Sequence, residues 1–458
     1  MTIWEPRLAD VPGPLYRRVA MALQQDIAAG RLQPGARLPT HRELARALAT
    51  TVVTASRAYR EAAASGLVRG QVGRGTFVAS AAAGGVPTAP SSPDLLELNA
   101  NYVLGAAGEP DMPRASTGEA RLLRESLTQR YPAGGTAEHR TAAAAWLGRG
   151  GWAPRPAEVV ITAGAQHAIF VALSALARPG DPLYVEALTY PGVKAAARTL
   201  GLHLRPVAVD DQGLVPEALA EQCGAGAGGL LFVQPSLHNP TAAVMPAARR
   251  LQLAALARER DLMLIEDSVY EFLLPDPPPP LAALAPERTI HIVSGAKAFV
   301  PGLRVGYLIA PEPLVPKLQA EIFSTCLVAA PSLLDLATRW IADGSARRSA
   351  EAKRHEVEQR QQLARTVLGR ACQVPRAHGS HLWLDLPSPW RPDPFVEQAR
   401  RRGVAVNPAS AFAADPATVP SAVRICLGAV PDRDRLAAAL AILADLLAGP
   451  APPEEPVV

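Results

Sequence analysis

Thr289-Ile-His-Ile-Val-Ser294-Gly-Ala-Lys297-Ala-Phe-Val-Pro301-Gly-Leu-Arg304-Val-Gly-Tyr307 is the stretch on which the reading of the whole chain turns. Its first residues, Thr289 to Val293, are apolar or β-branched and predict a buried strand. Gly295, Pro301 and Gly302 then forbid regular structure, so Lys297 is expected on a loop at the strand's end, beside a cleft. An amine so placed forms a Schiff base with a carbonyl cofactor once burial or nearby cations leave it unprotonated. Arg304 is a fixed cation a short way along the same loop. The competing reading of this stretch alone is an ordinary solvated lysine.

Working outward, the 458 residues suffice for a sizeable core and more than one domain. The formal charge is only +4, yet residues 1–79 hold 11 Arg against 5 acidic residues. That local excess points to a polyanionic partner at the N-terminal end. Lysine is rare, occurring only at 194, 297, 317 and 353, so its retention at 297 is informative. Cysteines 223, 326, 372 and 426 lack metal spacing and suit a reducing cytosol. The sequence shows no secretory h-region and no long apolar run, so a cytoplasmic, nucleoid-associated location is expected, without membrane contact or a metal.

The N-terminal module predicts three helices. Apolar residues at 15, 19, 23 and 27 line one face of the first, Pro14 to Ala29. Thr40 and Glu43 form a capping box for the second, His41 to about Leu48, and the third runs from Val52 to Ser65. Two short helices in close succession have helix-turn-helix proportions, with Thr51, Thr54, Ser56 and Arg57 on the second. Residues 66–70 and 73–78 read as a two-stranded wing with a basic tip. The ordered residues Leu38-Pro-Thr-x-Arg42-Glu-Leu-Ala45, Ala58-Tyr59 and Gly73-x-Gly75-Thr-Phe-Val78 resemble the winged helix-turn-helix of the GntR family. That resemblance implies operator DNA as a partner, with Arg37, Arg42, Thr51, Thr54, Arg57, Arg74 and Gly75 at the interface. Val52 departs from the family pattern, which usually has Arg there.

A segment rich in Ala, Gly, Ser and Pro, residues 80–94, reads as a flexible linker. From 95 to 447 helical stretches alternate with short strands at Val159–Thr162, Pro182–Val185, Leu230–Val233, Leu262–Glu266 and Thr289–Val293, and a Pro-rich tail, 448–458, follows. This pattern predicts an α/β domain with a mainly parallel sheet, whose ligands collect at the strands' carboxyl ends. Each end offers a chemical group. Small residues Gly164 and Ala165, with Gln166, open a helix and leave amides for an anion. Tyr190 can stack on a flat ring, and Asn239 in Asn-Pro-Thr can donate to a phenolate. Asp267, with Tyr270 three residues on, can pair with a protonated ring nitrogen. Ser294 and Lys297 come last.

In this order the groups resemble fold-type I pyridoxal 5′-phosphate enzymes, the class I aminotransferases. The resemblance implies that Lys297 forms the internal aldimine, Asp267 pairs with the pyridine nitrogen, and Asn239 and Tyr270 bind the ring hydroxyl. It places Tyr190 on the ring and gives the phosphate to Ser294, Arg304 and the turn Gly164, Ala165, Gln166. Tyr131 would reach the cofactor phosphate of a neighbouring subunit, which implies a dimer, and Arg424 in a small C-terminal subdomain would hold a substrate or effector carboxylate. Ala242, Ala296 and Ala409 depart from the family pattern around the ligand, as does the segment after Tyr131, one residue short. The whole chain resembles the MocR subfamily of GntR-type bacterial regulators. The expectation is a head-to-tail dimer that senses pyridoxal phosphate or an amino compound at Lys297 and does not turn substrate over; a working aminotransferase and a cofactor-independent DNA-binding protein are the alternatives.

Overall fold

The structure is a computed structural model and describes residues 4, 6, 8, 14–28, 31–32, 36–64, 67–71, 75–78, 95–103, 124, 126–128, 130–149, 151–224, 228–369 and 378–449. The chain divides into two units, one built on Met1–Val86 and the other on Pro87–Ala414 and Pro420–Val458. The predicted linker, most of the Pro-rich tail and Arg74 lie outside the described residues.

In the first unit, helices α1 (Leu15–Ala28), α2 (His41–Ala47) and α3 (Val52–Ala64) surround a core of Val19, Leu23, Leu38, Leu44, Ala58 and Tyr59. The expected capping box forms: Glu43 N donates to Thr40 Oγ1 at 3.3 Å and Thr40 N to Glu43 Oε2 at 2.7 Å. Strands β1 (Val68–Gln71) and β2 (Gly75–Val78) pair antiparallel as the wing. The loop before α2 joins their edge, Leu38 N donating to Thr76 O and Val78 N to Ala36 O, both at 2.8 Å. Tyr59 of α3 closes the packing by donating its hydroxyl to Pro39 O at 2.8 Å.

The second unit is organised on a seven-stranded sheet in the order 159–162, 306–309, 289–294, 262–267, 229–233, 182–186, 203–207. Gly306–Ile309 runs antiparallel to both its neighbours; the other strands pair in parallel. The five predicted strands are present. Gly306–Ile309 and His203–Val207 were not anticipated: the first is only four residues long and the second carries Pro206 on the sheet's edge, where a missing N–H is tolerated. All six residues of Thr289–Ser294 are buried, as a central strand requires. Register places Asp267 beside Ile292, and Ser294 beside Gly306, which itself faces Thr162. The functional ends therefore share one edge of the sheet.

Two sequence expectations are corrected. Residues after Ser294 do form regular structure: Gly295–Ala298 is a helical turn and Pro301–Leu303 a 3-10 turn. The helix after Thr162 begins at Ala165, so Ala165 and Gln166 belong to it.

A smaller layer within this unit pairs His381–Asp385 with Ala422–Cys426, and that strand with Asn407–Pro408, all antiparallel. Leu96–Glu97 pairs in parallel with Val404–Ala405, and Leu98, buried in the same apolar cluster, accepts from Cys426 N at 2.7 Å. The 24-residue helix Ser345–Leu368 runs from the lysine turn to this layer, where Arg360 donates to Leu427 O at 2.8 Å and Val430 O at 2.6 Å.

Candidate functional site

Lys297 sits on a turn that Ser294 caps, its Oγ accepting from Ala296 N at 3.2 Å. The side chain is half-buried, with Nζ donating to the carbonyl of Asn101 and lying 5.8 Å and 5.4 Å from the ring centres of Tyr102 and Tyr270. Burial lowers its pKa to about 8, with Arg424 and Arg304 acting in the same sense and Cys426 and Asp267 opposing. Free amine is thus far more abundant near neutrality than in a solvated lysine.

Asp267 is buried at the end of its strand and accepts from Gln234 Nε2 at 2.9 Å and Val269 N at 3.3 Å. Its hydrogen-bond partners among the described residues are neutral donors, and burial pushes its pKa up to about 6. Such a carboxylate wants a cation. Asn239, on the next strand end, turns Oδ1 to Arg424 Nη1 at 2.7 Å, which orients its Nδ2 donor away from that guanidinium. Its loop is held under local strain, with Leu237 and Ala242 at φ +55° and +57°, and His238 donates through Nε2 to Leu188 O at 2.8 Å. Tyr270 is buried against His381, ring centres 5.6 Å apart, and burial raises its hydroxyl's pKa well above the ordinary value.

Arg424 is buried, and its oxygen partners among the described residues are neutral: Asn239 Oδ1, Asn99 O at 2.8 Å and Asn407 Oδ1 at 3.2 Å. Phe412 stacks 4.6 Å from its guanidinium, and Nε has no hydrogen-bond partner among the described residues. A buried cation with an orphaned N–H is built to meet an anion.

The helix Ala165–Leu176 opens on Gly164, whose φ of +89° only glycine adopts without strain. A Cβ there would stand 2.9 Å from Arg304 Nη2, so the guanidinium lies directly against the helix N-terminus. Among the described residues Arg304, itself left-handed at φ +48°, makes no hydrogen bond or ion pair. Unpaired amides and an unpaired guanidinium together attract a dianion. Gln166 contributes by its backbone, since its side chain donates to Gly192 O at 2.9 Å. Gly192 has to be glycine: a Cβ would fall 2.2 Å from the Tyr190 ring, which folds across the helix start.

Lys297, Asp267, Asn239, Tyr270, Tyr190, Ser294, Arg304, Gly164, Ala165, Gln166 and Arg424 thus lie around one sheet edge. Tyr131 is engaged elsewhere in its own chain, donating to Asp335 Oδ2 at 2.7 Å and stacking on His139 at 5.6 Å. In the head, Arg37 and Arg42 are exposed, and Arg37 lies against Gly75 at the wing. Thr51 caps α3, accepting from Thr54 N at 3.2 Å. Arg57, expected at the DNA interface, is exposed and stacks its guanidinium 4.1 Å from the Tyr16 ring of α1. Sequence reasoning gave no role to Gln234, Asn99, Asn101, His381, Asn407 and Lys353, because each acts through a partner distant in sequence.

The geometry fits one group. Buried Asp267 could take a ring cation, Arg304 and the Gly164 turn a phosphate, and Lys297 an aldehyde, while Arg424 could take a carboxylate on a second molecule beside it. This is the cradle of a fold-type I pyridoxal 5′-phosphate protein. Residues 93–443 match the family model for aminotransferase class I and II, and residues 15–78 that for bacterial regulatory proteins of the gntR family. The chain is 31% identical to the uncharacterized HTH-type transcriptional regulator YdeF of Bacillus subtilis, covering 97% of this chain and 96% of that one. It is 30% identical to the HTH-type transcriptional regulator TauR of Rhodobacter capsulatus, over 87% and 90% of the two chains. The structure of the α-aminoadipate aminotransferase LysN from Thermus thermophilus, complexed with N-(5′-phosphopyridoxyl)-L-leucine, superposes with TM-score 0.67 at 26% identity, covering 78% and 93%. The chain belongs to the aminotransferase class I and II family and, with its gntR-family head, to the MocR-type transcription regulators; its cofactor is pyridoxal 5′-phosphate.

Proposed function

We propose that this regulator, a cytoplasmic dimer, reports the arrival of an amino compound at its pyridoxal phosphate by altering its grip on operator DNA. When bound, the cofactor supplies an aldehyde that condenses reversibly with amines. One observation carries the reading. Lys297 Nζ and Arg424 Nη2 donate to the carbonyls of Asn101 and Asn99, in the segment that directly follows the expected linker to the head. Asn101 is further held by Ser380 Oγ at 3.1 Å and by His381 Nδ1 at 3.2 Å. Lys297 gives up the first contact when cofactor is attached to it and is free to remake it through Nζ when an amine displaces it, while a carboxylate held by Arg424 competes for the second, so the segment's anchorage changes with the ligand state. A ligand shifts the head only by its differential affinity for the two arrangements.

Lys297 supplies the exchangeable amine, Asp267 and Tyr270 orient the ring, Arg304 and the Gly164 turn retain the phosphate, and Arg424 selects a carboxylate. The head domain is assigned to 1–79, the linker to 80–94 and the body to 95–447. In the dimer Tyr131 completes the partner's phosphate site after leaving Asp335. The test is a titration of the cofactor-loaded protein with a panel of amines, followed by visible absorbance, with a mobility-shift assay on its own upstream DNA in parallel. An amine that moves both signals, and a Lys297→Ala variant that binds DNA without responding, support the reading. A variant that responds like the wild type would sink it. The complete set of cofactor-facing groups also favours a working aminotransferase; sustained keto-acid release from a good amino donor would establish that reading instead.

A further inference from the structure

Val52 and Val53, the first two residues of α3, are 46% and 77% exposed. In a helix-turn-helix the N-terminal residues of the second helix meet base edges in the major groove. What those residues carry decides which base they read. From Thr51 to Ser56 the sequence is Thr-Val-Val-Thr-Ala-Ser, without Arg, Lys, Asn, Gln, Asp or Glu. Those six types make the hydrogen-bonded contacts that single out guanine, adenine and cytosine.

The remaining polar groups discriminate little. The hydroxyls of Thr51 and Thr54 lie 2.9 Å apart, and Thr51 also caps the helix. Arg57, the first charged residue of α3, stacks on Tyr16. Arg42 and Arg46 are exposed on α2, the helix that crosses the backbone, where guanidinium groups bind phosphate without reading sequence. One feature of the groove suits an exposed isopropyl group, the 5-methyl of thymine.

We propose that Val52 and Val53 form an apolar reading head for thymine methyl groups, so that the operator half-site centres on A·T pairs read from their thymine side. The inference rests on the head binding duplex DNA, and the experiment separates the two. Full-length protein selects duplexes from a random library, and binding is then compared for the winning duplex and for the same duplex with uracil replacing each central thymine. Uracil pairs identically and lacks only the methyl.

The expected result is enrichment of central thymines and a loss of about fourfold in affinity per methyl removed. Val53→Ser, an exposed change that leaves the core untouched, is expected to discriminate thymine from uracil less than wild type, and the double change Val52→Ser with Val53→Ser to bind both duplexes equally. Equal wild-type affinity for both duplexes overturns the proposal while leaving DNA binding intact. Failure to retain any duplex overturns both.

Discussion

Lys297 and Asp267 are both shifted by burial, in opposite senses for stability. For Asp267 the folded pKa, about 6, lies above its ordinary 3.8. Its contribution is therefore fully present below pH 3.8 and is lost as pH rises through about 6. Chemical denaturation of the cofactor-free protein is expected to show wild type losing up to about 3 kcal/mol relative to Asp267→Asn over that window. With cofactor bound the carboxylate has a cationic partner, and the difference shrinks. A pH-independent difference would rule out an ionising Asp267. Ala242 makes a second case: it adopts φ +57°. Replacing it by Gly relieves about 1 kcal/mol of left-handed strain and returns about 0.5 kcal/mol of unfolded-chain entropy. A small net rise in Tm is expected, and a fall would show that the Ala242 methyl packs usefully. Residues at this scale were legible in sequence wherever a motif carried them, as Asn-Pro-Thr carries Asn239.

Elements tell a different story. The capping box of α2 was readable because Thr40 and Glu43 are three residues apart, and their bonds are local. The role of helix Ser345–Leu368 was not readable. One turn apart on that helix, Ser349 and Lys353 face the carbonyls that close the lysine turn, with Lys353 Nζ donating to Lys297 O at 2.9 Å and Phe299 O at 2.5 Å. Lys353 is buried, and burial, reinforced by Lys297, lowers its pKa to about 7. Even as a neutral amine it keeps enough N–H bonds for both carbonyls. Lys353→Met is expected to slow cofactor attachment about tenfold by freeing that turn, since unsatisfied carbonyls cost about 1–3 kcal/mol. Stopped-flow absorbance measures the rate, and a folded variant attaching cofactor as fast as wild type would refute the clamp.

At the scale of the molecule, the site joins parts that the chain keeps far apart. Arg424 is 185 residues from Asn239 and 325 from Asn99, yet it bonds both. Arg424→Lys keeps the charge and loses the planar fork, so the protein is expected to respond at least tenfold more weakly to amines that bear a carboxylate. Its response to simple amines should be unaffected, as judged by titrating absorbance with matched pairs. Equal weakening for both classes would assign Arg424 a purely structural role. Helix caps, strand cores and the residue just past each strand follow from local chemistry, so the sequence alone determined the two-part architecture and most groups around Lys297. Only the tertiary structure decided which groups are occupied. It gave Asn101 the amine of Lys297, turned Arg57 onto Tyr16 and tied Tyr131 to Asp335. The physical reason is that a side chain's partner is set by packing across the fold, and neither periodicity nor spacing along the chain encodes that packing.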